Sequence, residues 1–194
     1  MDRPNADEAS ASRERSPRSP DRIGVSSNVQ SVPPQNVAGQ VQVRSIVALD
    51  PGTQTGWAAR LRTGVVISDS TCLAVGRHMG AGTKFLELSK LLSQLETICQ
   101  GIDLLVLEDV MAHSGTLAAQ TYGGFLATII AWCDNRGISY VSVPVGTIKK
   151  FATGHGNASK AMMMEAAKSK GFLIKDHNQA DAIALLFWAV AHYK

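Results

Sequence analysis

The chain has 194 residues, 45% hydrophobic and 18% charged, with 19 Lys plus Arg against 16 Asp plus Glu. That suits one ordinary domain and excludes a wholly disordered polymer. The longest apolar run, residues 182–191, falls well short of the roughly 18 residues a membrane span needs, and no apolar segment follows the start as in a secretory leader. Cys72, Cys99 and Cys133 are odd in number and widely spaced, which fits neither a disulfide framework nor a cysteine zinc site. The expectation is a cytoplasmic protein with reduced, mostly buried thiols and no membrane partner. The net charge of +3 is small but unevenly placed, because residues 145–175 hold six lysines against the single acid Glu165.

Residues 1–44 contain five of the seven prolines, seven serines and no aromatic side chain, and their five acids offset six arginines. Such a segment buries too little apolar surface to order itself, so it is expected to be a disordered, solvated tail, with residues 45–194 as the folded domain. RSIVALD, ending on Asp50 before Pro51-Gly52, reads as a buried strand followed by a turn. TGWAARLR and TGVVISD read as two further strands joined antiparallel through Arg62-Thr63-Gly64. Leucines and Phe85 at helical spacing predict a helix over Thr83–Cys99, and IDLLVLE a second buried strand ending at Glu108.

A loop with Ala112-His113-Ser114-Gly115 then leads to an apolar helix over Thr116–Asn135, ended by Arg136-Gly137. Its stripe Leu117, Phe125, Ile129 and Trp132 reads as core or dimer interface, and Gly123-Gly124 suggests close approach of another helix. The strand ISYVSVP follows, then a short helix GTIKKFA, the loop TGHGN and a helix over Ala158–Ser169. The last element starts near Asn178 and is apolar on nearly every face to Tyr193, as for a helix buried against a sheet. Three antiparallel strands followed by alternating helix and strand predict an α/β fold, a mixed sheet with helices on both faces.

The chemistry concentrates where apolar strands end in acids, since open sheets present functional groups at the carboxyl ends of their strands. Asp50 and Glu108 fit that placement and could be neighbours across one ladder. Asp181 falls in the first turn expected for the final helix, where the amino end favours an anion, and Asn178 lies one turn earlier on the same face. Taken singly, an Asp before Pro-Gly is commonly a turn-former and an Asp early in a helix commonly a cap. Three carboxylates and an amide brought together would repel one another without a cation, and oxygen-only ligation suits Mg²⁺ or Mn²⁺. The reaction implied is metal-assisted phosphoryl transfer.

The segments ALDPGTQTGW, LLVLEDVMA, GTIKKFATGHGNASK and NQADAIAL resemble, in order, the motifs of the RuvC type of Holliday-junction endonuclease within the ribonuclease H-like superfamily. The resemblance spans nearly all of residues 45–194. It implies an RNase H-like five-stranded mixed sheet, a symmetric homodimer, two Mg²⁺ ions per subunit and paired nicks in four-way DNA that leave a 5′ phosphate. By position, Asp50, Glu108 and Asp181 match the family's metal-binding acids, with Asp50 bridging both ions. Lys149 and Lys160 match lysines along the DNA near the cut phosphate, where Lys160 would neutralise developing charge. Lys150 and the loop residue His113 join them as expected DNA contacts, and His155 is read as a second loop histidine that touches phosphate.

The chain departs from the family pattern at three places. The fourth ligand position, usually Asp and sometimes His, holds Asn178, whose amide oxygen can ligate a hard cation but brings no charge, so Asp176 or His177 are alternative substitutes. A junction-wedging aromatic is replaced by Val110-Met111, and a basic residue before the lysine segment by Gly146. These leave open a nuclease acting on branched DNA or forks generally, or a non-catalytic junction-binding protein. The segment ALDPGT also resembles the first phosphate loop of actin-like ATPases and sugar kinases, but two such lobes do not fit in 150 residues.

Overall fold

In the computed structural model, residues 43–73, 76, 79–110 and 115–193 are described; residues 1–42 of the expected tail and the loop residues Met111, Ala112, His113 and Ser114 lie outside them. Apolar strand runs and helical periodicities fold into β1 (Ile46–Asp50), β2 (Gln54–Arg60), β3 (Val66–Cys72), α1 (Thr83–Cys99), β4 (Leu104–Asp109), α2 (Thr116–Asp134), β5 (Ser139–Pro144), α3 (Val145–Thr153), α4 (Lys160–Ser169) and α5 (His177–His192). One sheet runs in the order β3-β2-β1-β4-β5. β2 pairs antiparallel with both β1 and β3, while β1, β4 and β5 are parallel. This is the mixed five-stranded α/β sheet expected.

The alternation of side chains along a strand divides the interior into two cores. Ile46, Ala48, Ala58, Leu104 and Val106 face α3, α4 and α5, whereas Val47, Leu49, Trp57, Leu105 and Leu107 face α1 and α2. Because β1 and β4 are buried on both faces, they read as continuous apolar runs rather than as alternating ones. α2 lies close to α1 at Gly124, where a Cβ would come within 2.5 Å of the Phe85 ring. Gly123, by contrast, meets nothing within 4 Å. Phe125, Ile129 and Trp132 enter the core, but Leu117 is 76% exposed.

Several boundaries differ from the sequence expectation by one to three residues, three of them for a clear local reason. β3 starts at Val66 rather than Thr63 because Leu61–Val65 closes the turn, with Leu61 N–H donating to Val65 O and Gly64 at φ 85°. α4 starts at Lys160 because Ser159 is its N-cap, its hydroxyl accepting from Met162 N–H. α5 starts one residue early, at His177, behind Asp176 as N-cap. Cys99 and Cys133 are buried and Cys72 is exposed; burial pushes the Cys133 thiol up to about 11. Among the described residues no helix is long and apolar enough to cross a membrane.

Candidate active site

Parallel β1 and β4 leave the sheet at the same edge. Their register pairs Leu49 with Leu107, so Asp50 and Glu108 come next to one another one residue further on. Alternation puts both on the face that packs against α5, following Ala48 and Val106. Glu108 is buried, at 8% exposure. Burial raises Asp50 well above the ordinary carboxylate range, and Glu108, Asp181 and Asp176 raise it further by charge. Behind the edge, the Tyr122 hydroxyl of α2 donates to Glu108 O at 2.9 Å and accepts from Val110 N–H at 3.2 Å, tying down the end of β4.

The third acid comes from α5, whose first turn sits against β2. A Cβ at Gly56 would stand 2.0 Å from the Asn178 carbonyl oxygen, so only glycine lets the helix approach this closely. Gly56 pairs with Asp50 in the sheet, and this contact therefore sets α5 over the acids. Since α5 begins at His177, Asp181 lies beyond the first turn, and the helix amino end does not govern it as the sequence had implied. Its carboxyl is raised to about 7, first by burial and then by Glu108, while Lys149 and Lys160 draw it down and Asp176 raises it. Asp181 Oδ1 is buried without a hydrogen-bond partner.

Asp176 has a different environment. One carboxylate oxygen accepts from Gln179 N–H at 2.9 Å; the other accepts from the Ser70 hydroxyl and, at 3.5 Å, from Gln54 Nε2. Burial alone would raise it, yet the Ser70 and Gln179 hydrogen bonds, with Lys175 nearby, hold it below the ordinary range. The buried Gln179 side chain extends this clamp by donating to Ser68 and accepting from Lys175 N–H. Asp176 is thus a helix cap tied to β3, while half-buried Asn178 lies one turn before Asp181 on α5.

Of the expected cations, Lys149 on α3 and Lys160 on α4 both act on Asp181, and Lys160 Nζ lies 2.8 Å from His177 Nε2. Lys150 and His155 are exposed, and His113 lies outside the described residues. Gly56, the Asp176 clamp and the Lys160–His177 contact were missed in the sequence. Only the clamp had a readable signal, the pattern Asp-x-x-Gln at the start of a helix.

Among the described residues no three His, Cys, Asp or Glu side chains already form a metal-binding cluster. The donor set nevertheless fits a hard divalent cation. Three carboxylates act on one another at one partly buried edge, two of them are raised by burial and mutual repulsion, and one oxygen has no partner. A cation there would relieve the repulsion and engage that oxygen.

The sheet order and its helices make an α/β fold of the ribonuclease H-like type, with Asp50 and Glu108 at the carboxyl ends of parallel strands. More particularly, the chain has the RuvC fold. A structure of T. thermophilus RuvC in complex with a Holliday junction substrate matches with a TM-score of 0.64 at 16% identity, over 77% of this chain and 97% of that one. A second Thermus thermophilus RuvC structure matches at 0.61 and 16% identity, over 76% and 96%. No protein-family model and no curated protein matches the sequence.

Proposed function

We propose that the protein is a metal-dependent endonuclease that resolves four-way DNA junctions by paired nicks. The observation that carries this reading is the electrostatic coupling of Asp50, Glu108 and Asp181 at one partly buried edge, with Lys149 and Lys160 acting on Asp181 and its Oδ1 unpartnered. The RuvC fold, seen elsewhere on a Holliday junction substrate, supports the choice of DNA. Asp50, Glu108 and Asp181 would hold Mg²⁺ or Mn²⁺, with Asn178 as the neutral fourth ligand in place of the clamped Asp176. Divalent ions bound there would supply water activation and stabilisation of the leaving oxygen.

The chain's own residues account for the rest of the chemistry. Lys160 and Lys149 offset the acids' repulsion of a phosphodiester, and Lys160 neutralises charge developing at the scissile phosphate. Lys150, exposed on α3, extends the cationic track along the backbone, and His113 is retained as a loop contact to DNA. A homodimer matches the two-fold symmetry of a four-way junction. It is supported by α2, which carries no charge before Asp134 and leaves Leu117, Gly123, Ala127 and Ala131 exposed.

The test is cleavage of a synthetic four-way junction against duplex, flap and single-stranded DNA across a Mg²⁺ titration, with Asp50→Asn alongside. Nicking of the junction in preference to the other substrates, abolished in Asp50→Asn while binding persists or tightens, is the expected result. Equal cleavage of flaps or forks would broaden the substrate class. Binding without nicking at any Mg²⁺ concentration would leave the alternative of a junction-binding protein, which Asn178 motivates by lowering the charge of the ligand set.

A further inference from the structure

Lys160 Nζ and His177 Nε2 lie 2.8 Å apart. An ammonium has three donors and no acceptor, so the imidazole must be the acceptor, with its lone pair on Nε2 and its ring proton on Nδ1. That nitrogen is then already occupied, which removes it from the candidates for the fourth metal ligand. We infer that His177 is a positioning residue that holds the Lys160 ammonium beside Asp181. The inference rests on the nuclease reading above and deepens it.

Lys160 needs such a holder. It is the first residue of α4, at a helix amino end that disfavours a cation, and among the described residues it forms no ion pair. Its long flexible stem leaves the charge undirected unless the tip is held. The backbones at both ends of the contact are fixed. Ala158, Met163 and Ala167 bury the start and inner face of α4, and the Ser159 hydroxyl caps Met162 N–H. His177 directly follows the Asp176 cap, which Ser70 and Gln179 lock to β3 and to α5. With both bases immobile, one hydrogen bond at the tips turns a mobile surface cation into one with a defined location. Charge stabilisation of a phosphoryl transition state depends on that location, because a misplacement of about 1 Å can cost a hundredfold in rate.

The experiment compares the full chain with His177→Leu, His177→Gln, Lys160→Ala and the double variant His177→Leu/Lys160→Ala. The first readout is the ¹⁵N NMR signal of the Lys160 ammonium in metal-free protein. The others are junction affinity, Mg²⁺ half-saturation and turnover at saturating junction. His177→Leu is expected to lose the ammonium signal and to lower turnover about tenfold or more, with affinity and Mg²⁺ half-saturation within about twofold. His177→Gln, whose amide oxygen can accept from the ammonium, should recover most of both losses. The double variant should be no slower than Lys160→Ala, as for residues acting as one unit.

Unchanged turnover in His177→Leu would overturn the positioning role, as would additive losses in the double variant. A raised Mg²⁺ requirement in His177→Leu would overturn it in favour of metal ligation. Failure of the wild type to nick any DNA would instead overturn the nuclease reading and this role with it, whereas wild-type nicking beside an unaffected His177→Leu would overturn this role alone.

Discussion

At the scale of single residues, the acids are set against one another. Asp181 is raised to about 7 and Asp50 is raised well above its ordinary range, so the native chain holds protons that the unfolded chain releases. Stability without metal is therefore expected to fall as pH rises from about 4 through about 7 as Asp181 ionises, by on the order of a few kcal/mol, and to level off only once Asp50 has ionised too. Asp103 and Asp176 are lowered and act in the opposite sense, losing their contribution as pH falls through their folded values below about 4. Thermal melting across pH 4–8 checks this: Asp181→Asn should flatten the upper part of the profile, and Mg²⁺ should restore stability at pH 8. Mg²⁺ half-saturation should drop with rising pH as the acids ionise. It should drop further in Asn178→Asp, and rise in Asn178→Ala. Identical titrations for these three chains would remove Asn178 from the ligand set.

At the scale of elements, the strands and helices were legible because apolar runs of strand length end in turn residues or acids and the helices repeat leucine or alanine at helical spacing. Every element appeared within a few residues of its expected position, and Asp50, Glu108 and Asp181 were visible as acids at the ends of elements. What was not legible depends on contacts between distant parts of the chain. A glycine within a strand does not say that a helix lies on it, and Asp176 finds Ser70 across 106 residues. α5 starts one residue before its expected position because Asp176 caps it, and Asp181 therefore lies beyond the reach expected of the helix amino end. Gly56→Ala tests the tertiary constraint. Its Cβ cannot coexist with the present Asn178 backbone, so a loss of about 1–3 kcal/mol in urea unfolding is expected. Mg²⁺ affinity should fall as well, because α5 must retreat from Asp50. A variant with unchanged stability and metal affinity would show that α5 is not held at this separation.

At the scale of the whole molecule, the sheet separates two faces: α3, α4 and α5 cover the one that carries Asp50 and Glu108 and add Asp181 and the lysines, while α1 and α2 close the other. The uncharged outer surface of α2 is the proposed pairing face, and Ala127→Glu would place a carboxylate in its middle. The expected outcome is a monomer by light scattering that converts a cruciform plasmid to nicked circles, where the wild type yields linear product. A dimer of undiminished affinity would move the interface elsewhere. Tyr122 gives α2 a second consequence. The phenol of Tyr122, which grips the backbone on both sides of Asp109, is followed directly in α2 by exposed Gly123 of the outer face. A tilt or roll of α2 would therefore be felt at the backbone of Glu108 through the Tyr122 hydroxyl, so a partner seated on α2 would touch the acids without reaching them.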